Sequence, residues 1–250
     1  MELTMAVLTK NEIIKAIDKG ELAFEPGLDQ FQLQPAAVDI RVGLNFFIPK
    51  IWSLSESGRR DLNIDHLNNE EKSEVLDHIH LKPGQTFDLL PGEFILISTY
   101  EKILIKSGSL ISILYPRSST TRRGISIESG VIDPYYEGSL MIPVFNQTRT
   151  QKIRIYPGER IAQLVFHRTE SELTKEESLT HGVARPKYQG VQGYQLDYKF
   201  DPHDEINIIR DGNLEQLKKK HLIMGENQNE KEEKNPIPVS AEGQGNSPRF

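Results

Sequence analysis

Apolar residues follow two different periods along this chain. Ile13, Ile14 and Ile17 recur at helical spacing directly after Thr9-Lys10-Asn11-Glu12, whose Thr-x-x-Glu spacing is that of a capping box. A short packing helix is therefore predicted to open at Thr9 and to stop at Gly20. From about residue 35 to 167 the pattern becomes that of strands. Runs such as 94–97, 110–114 and 152–155 are rich in β-branched residues, and Pro-Gly pairs at 83–84, 91–92 and 157–158 separate them. Many short strands with frequent turns predict a mainly β fold: a sandwich, jelly roll or barrel. Residues 56–80 are polar and charged and read as an inserted loop with room for a short helix. Past Phe200 the character changes again. Residues 211–220 read as a short helix, and from Gly225 apolar residues become too sparse to offset the entropy of ordering. The expected organisation is one domain over 1–200, a helical extension over 201–224 and a disordered tail over 225–250.

Composition narrows the function. The 250 residues are 37% hydrophobic and 26% charged, ordinary for a globular protein with a polar tail. A net charge of -6 gives no global reason to bind nucleic acid or an anionic membrane, although a local basic site for a small polyanion stays open. No cysteine is present, which excludes disulfides and Cys-ligated zinc. Zinc-dependent nucleobase deamination, which needs a P-C-x-x-C element, is excluded with them. No apolar run is long enough to span a bilayer, and Lys10 and Lys15 interrupt the N-terminal region where a signal peptide would be apolar. A cytoplasmic location is the expectation.

Four segments carry candidate chemistry. The first is Pro35 to Arg41, with Asp39 inside it. The second, Pro116 to Gly124, sets Arg117, Arg122 and Arg123 around Ser118, Ser119, Thr120 and Thr121 just after an apolar strand. Guanidinium forks and hydroxyls suit phosphate oxygens, but the same residues would also make a solvated basic turn. The third, Gly130 to Gly138, places Asp133 after the apolar Val131 and Ile132 and ahead of Tyr136. A carboxylate there can act as a general base on water and a tyrosine can offer a ring face to a sugar or base; a plain hairpin turn would use the same residues. The fourth is Gly158 to Leu164, with Arg160 and Gln163. Two further features have simpler readings. His78 and His80 sit on one side of a possible strand without a clear third metal ligand, so no metal site is expected. Lys218, Lys219 and Lys220 read as a solvated helix end.

In this order the four segments resemble the shared motifs of trimeric dUTPases and dCTP deaminases, over roughly residues 8 to 195. The layout is closer to the deaminase branch, through Gln32 to Arg41, Leu89 to Phe94 and Lys187 to Gly190. The resemblance implies a distorted β-barrel or jelly roll. It also implies a homotrimer with sites between subunits, and Mg²⁺ bound through the triphosphate of a pyrimidine deoxynucleotide. By the same likeness, Asp133, Arg122 and Ser118 match catalytic positions. Arg117, Ser118, Ser119, Thr120, Thr121, Arg122, Gly130, Val131, Asp133, Tyr136, Gln163, Lys187 and Tyr188 match the nucleotide-binding set. Within it the 130–136 hairpin reads the pyrimidine and deoxyribose, Tyr136 excludes a ribose 2′-hydroxyl, and Gln163 and Lys187 meet the triphosphate.

The chain departs from the deaminase pattern where that pattern matters most. Its glutamate stands ten residues after the hairpin aspartate and three before an asparagine. Counting from Asp133 and from Asn146 both lead to Pro143, which cannot carry a proton. Val191 stands where the pattern has glutamine, and Glu128 where deaminases tend to carry threonine. Glu128 is either a compensating carboxylate or a solvent-facing one. The Ile-Asp-x-x-Tyr-x-Gly spacing of 132–138 is the dUTPase form, yet no glycine-rich dUTPase arm follows. The leading expectation is dUTP hydrolysis to dUMP and diphosphate. A dCTP deaminase or bifunctional enzyme with altered residues, and an inactive nucleotide-binding module, are the alternatives.

Overall fold

The structure is a computed structural model, described for residues 6–62, 65, 67, 75–182, 184–194 and 201–221. The chain divides into two compact units, Met1–Phe200 and Asp201–Phe250. In the first unit, helix α1 (Lys10–Asp18) opens where the capping box places it. The Glu12 carboxylate accepts from Thr9 N at 2.8 Å and from its hydroxyl at 3.0 Å. Ile13 and Ala16 are buried, Ile17 packs partly buried against the core, and Ile14 turns outward. Lys19 caps the helix, and Gly20 follows at φ 73°, where a side chain would be strained.

Strands then build one curled antiparallel sheet. They run β1 (Leu22–Glu25), β2 (Leu33–Gln34), β3 (Ala37–Pro49), β4 (Trp52–Ser55), β5 (Gly58–Asp61), β6 (Leu76–His80), β7 (Phe87–Leu89), β8 (Phe94–Ile105) and β9 (Leu110–Pro116). After a helical turn, α2 (Ser118–Arg122), come β10 (Ile125–Ile127), β11 (Gly130–Ile132), β12 (Glu137–Asn146), β13 (Ile153–Ile155), β14 (Arg160–Arg168) and α3 (Lys175–Ser178). Ten strands join in the order β10-β12-β8-β3-β14-β9-β11, with β1 on β8 and with β2 and β6 on β3. β7 and β13 pair separately. This is the mainly β, jelly-roll-like fold that the strand pattern implies.

The long strand β3 is its hinge, buried on both faces and paired with β14 on one side and β8 on the other. Gly43 makes that possible: a Cβ there would lie 2.4 Å from Ser98 Oγ and 2.6 Å from Thr99 O, at the register shift between Val42 and Phe46. The core fills with Ile, Leu, Val and Phe side chains, including a stacked Phe46–Phe87 pair at 4.9 Å. Each such side chain contributes about 1.5–3 kcal/mol through burial.

Part of the 56–80 stretch is not loop. β4 and β5 form a separate hairpin, on which the Arg59 guanidinium lies 4.5 Å over the Trp52 ring, and β6 pairs with β3. β4 alternates over just Trp52-Ser53-Leu54-Ser55, with Trp52 and Leu54 exposed, and β5 carries no apolar residue, so the hairpin has little pattern to announce it. The second unit holds α4 (His203–Arg210), which buries Ile206 and Ile208, and α5 (Leu214–Lys220), with Lys220 Nζ 2.9 Å from Asp204. The helix expected from 211 thus starts at Leu214, and the expected disordered tail lies outside the described residues.

Candidate active site

The basic segment forms the helical turn α2 at the end of β9, with Arg117 as its extended N-cap. Arg117 does not point freely outward. Its Nε lies 2.9 Å from Oδ2 of the buried Asp39, and its Nη1 donates to Arg160 O at 2.9 Å. Arg160 Nη1 reaches the same Asp39 oxygen at 3.1 Å and also donates to Phe31 O. Burial pushes the Asp39 carboxyl up, while the two guanidinium groups pull it the other way. Thr120 is fully buried and donates to Ile161 O at 2.9 Å. Its hydroxyl is thus an anchor for α2. The Thr121 hydroxyl turns back to Arg117 O at 3.3 Å. Ser118, Ser119 and Arg122 are exposed on α2. Gln163 on β14 sits opposite both Asp39 and Tyr115, half-buried and near the same end of β9. These residues gather one electropositive corner: Arg117, Arg122 and Arg160 around the exposed start of a helical turn.

The second cluster is the turn between β11 and β12, which is not the expected hairpin: β11 pairs with β9, and β12 pairs with β8 and β10. Gly130 and Val131 are exposed on β11, while Ile132 is buried. Asp133 follows with its side chain half exposed. Tyr136 N donates to Asp133 O at 3.3 Å, closing a turn in which Tyr135 takes φ 60°. The Tyr136 ring packs against the core, its hydroxyl donates to Ser139 O at 3.2 Å, and burial pushes its pKa up to about 12. Gly138 is required beside it, since a Cβ there would lie 2.9 Å from Tyr136 Oη and 3.2 Å from Val191 O.

Residues 174–182 and 184–194 form a strap that contacts this turn. Gln189 Nε2 donates to Tyr135 O at 2.8 Å, Gly190 N to Glu137 O at 2.7 Å, and Ser139 N to Val191 O at 3.0 Å. Lys187 and Tyr188 therefore lie on the strap beside Asp133 and Tyr136, with Tyr188 43% exposed. One strap residue had no signal in the sequence: His181 Nε2 stands 3.5 Å from Asp133 Oδ2. It falls in a polar stretch with no period and no motif. Also unforeseen was Glu101, fully buried on β8 and holding Gln32 Nε2 at 2.7 Å and Arg41 N at 3.0 Å; burial raises its pKa.

The two clusters are not brought together within one chain. β11 runs antiparallel to β9 with Gly130 opposite Leu114 and Ile132 opposite Ser112. Continued by one residue, the register sets Asp133 opposite Ile111, seven residues from Ser118. At strand rise that is roughly 20 Å. Pro143 lies on β12 opposite Leu96, and β10 ends at Ile127 opposite Val144. Continued by one residue, this register puts Glu128 across from Pro143, where a proline offers no N–H to extend the ladder. His78 Nε2 and His80 Nδ1 both approach Asn45 Oδ1 at 2.9 Å, so the imidazole pair has a buried protein partner.

One curled antiparallel sheet thus carries both an arginine-rich turn and an aspartate–tyrosine turn. The family model described as dCTP deaminase-like matches residues 7–169, and the chain belongs to that family. It is 30% identical over 205 residues to the dCTP deaminase, dUMP-forming, of Methanosphaera stadtmanae, covering 81% of this chain and 98% of that protein. It is 34% identical over 194 residues to the dCTP deaminase of Natronomonas pharaonis, covering 76% and 92%. The crystal structure of 2′-deoxycytidine 5′-triphosphate deaminase from Agrobacterium tumefaciens shares the fold at a TM-score of 0.50 and 23% identity, over 66% of this chain and 49% of that one.

Proposed function

We propose that this chain hydrolyses dUTP to dUMP and diphosphate. The observation that carries this reading is the half-exposed Asp133 carboxylate on the strapped turn, set against a proline at 143. A carboxylate so placed can take a proton from water, whereas Pro143 removes the one that would serve ring deamination. Arg117, Ser118, Ser119 and Arg122 hold the phosphates at the corner of α2, with Gln163 alongside. The buried Tyr136 presents its ring to the deoxyribose and leaves no room for a ribose 2′-hydroxyl. Among the described residues no three His, Cys, Asp or Glu side chains gather at one point. Mg²⁺ therefore fits as an ion held mainly by the phosphate oxygens, where it neutralises charge on the triphosphate.

A second reading has its own support. The relative from Methanosphaera stadtmanae is described as dUMP-forming dCTP deaminase, and Glu128 stands across from Pro143. Product analysis after incubation with dUTP or dCTP plus Mg²⁺ separates the two. The expected result is dUMP from dUTP and no ammonia from dCTP. Ammonia release from dCTP that disappears in Glu128→Gln establishes the second reading instead. Asp133→Asn keeps the size and removes the basicity, so dUTP turnover should fall about 10²–10⁴-fold with binding retained. Turnover left intact in this variant places the base elsewhere.

A further inference from the structure

His181 faces Asp133, at 3.5 Å between Nε2 and Oδ2. Its position is built. Helix α3 is capped by Thr174, whose N donates to Glu177 Oε2 at 2.7 Å and whose hydroxyl accepts from Glu177 N at 3.2 Å. Beyond it, His181 N donates to Ala184 O at 2.8 Å and Ala184 N returns to His181 O at 3.0 Å. Gly182, at φ 63°, makes the tight turn between them. The strap is then pinned to the β11–β12 turn by Gln189 on Tyr135 and Gly190 on Glu137. The His181 backbone is thus fixed by the Gly182 turn, and both partners of the pair are about half exposed, at 44% and 50%.

We infer that His181 is a positioning residue for Asp133 and clears the proton that Asp133 takes up. The inference rests on the hydrolytic reading above. As the water oxygen bonds to the α-phosphorus, its proton passes to the Asp133 carboxylate. The bond from that phosphorus to the bridging oxygen breaks, and its electron pair leaves with diphosphate. Protonated Asp133 then donates to His181 Nε2. The half-exposed imidazolium gives the proton to solvent, and both groups return to their starting state. The 3.5 Å separation is marginally long for a hydrogen bond, so a small motion of the strap completes the transfer path.

The test uses the full chain, dUTP and Mg²⁺. His181→Ala should lower kcat about 10²-fold, the low end for general acid–base groups, with little change in KM. Added imidazole should restore part of that loss, which a merely structural role would not allow. His181→Gln should stay low, since it fills the space but accepts no proton. Independently of turnover, Asp133→Asn should move the ¹⁵N resonance of His181 Nε2. Turnover of dUTP that is indifferent to His181→Ala, or a His181 resonance unmoved by Asp133→Asn, overturns the inference alone. Absence of dUTP turnover in the wild type overturns the hydrolytic reading and the inference with it.

Discussion

Arg117 stands at the start of the phosphate corner, yet the structure ties it to Asp39 and to the Arg160 carbonyl. Truncating it leaves a buried carboxylate with Arg160 as its remaining guanidinium partner. Arg117→Ala should therefore cost about 1–3 kcal/mol of stability, as an under-satisfied buried acceptor does, in addition to any loss of nucleotide affinity. Urea unfolding measures the first effect and calorimetry the second; unchanged stability would show that Arg160 alone satisfies Asp39. Glu101 offers a pH-dependent counterpart. Burial raises its pKa, so the folded chain binds that proton more tightly than the unfolded chain. Stability from this group is full below the ordinary carboxylate range and is lost as pH rises through the raised value. Wild type should thus lose stability relative to Glu101→Gln as pH rises out of the ordinary carboxylate range and through the raised value, and urea midpoints whose difference ignores pH contradict this.

The working elements are the turn that joins β11 to β12 and the strap laid over it. Gly138 sets their contact, since a Cβ at 138 would push against Tyr136 Oη and Val191 O together. Gly138→Ala should loosen the strap at a cost of about 1–3 kcal/mol, the range for overpacking. Protease cleavage within 174–194 should accelerate, and equal cleavage rates would show that the strap does not depend on this contact. Elements like these mark the boundary of what sequence pattern reveals. The α1 cap, the run of buried strands and the turn at Asp133 were legible because apolar period, capping residues and turn residues are local signals. The exposed β4–β5 hairpin alternates over just Trp52-Ser53-Leu54-Ser55, and its second strand carries no apolar residue. α2 is a single helical turn whose anchor, Thr120 on Ile161 O, joins residues 41 positions apart. His181 meets Asp133 across 48 positions through a loop, and no local pattern encodes such a contact.

For the molecule as a whole, the separation of the two clusters bears on assembly. The α2 corner and the Asp133 turn lie roughly 20 Å apart along the strands. We expect one nucleotide to be shared between the α2 corner of one subunit and the Asp133 turn of another, an arrangement that a head-to-tail ring supplies. We expect a homotrimer, of about three times the 28.5 kDa chain mass by light scattering. The stronger test is complementation. Arg122→Ala disables the phosphate corner through an exposed side chain, and Asp133→Asn disables the turn. Each alone should be nearly inactive. Co-expressed and randomly mixed, they should recover about one quarter of wild-type activity per site, because a site shared between neighbours in a ring draws an intact corner with probability one half and an intact turn with probability one half. A site contained within one chain would recover nothing, since every chain would carry one defect. Recovery near a quarter, lost again when the two variants are purified separately and not mixed, would establish that neighbouring subunits complete each other's sites.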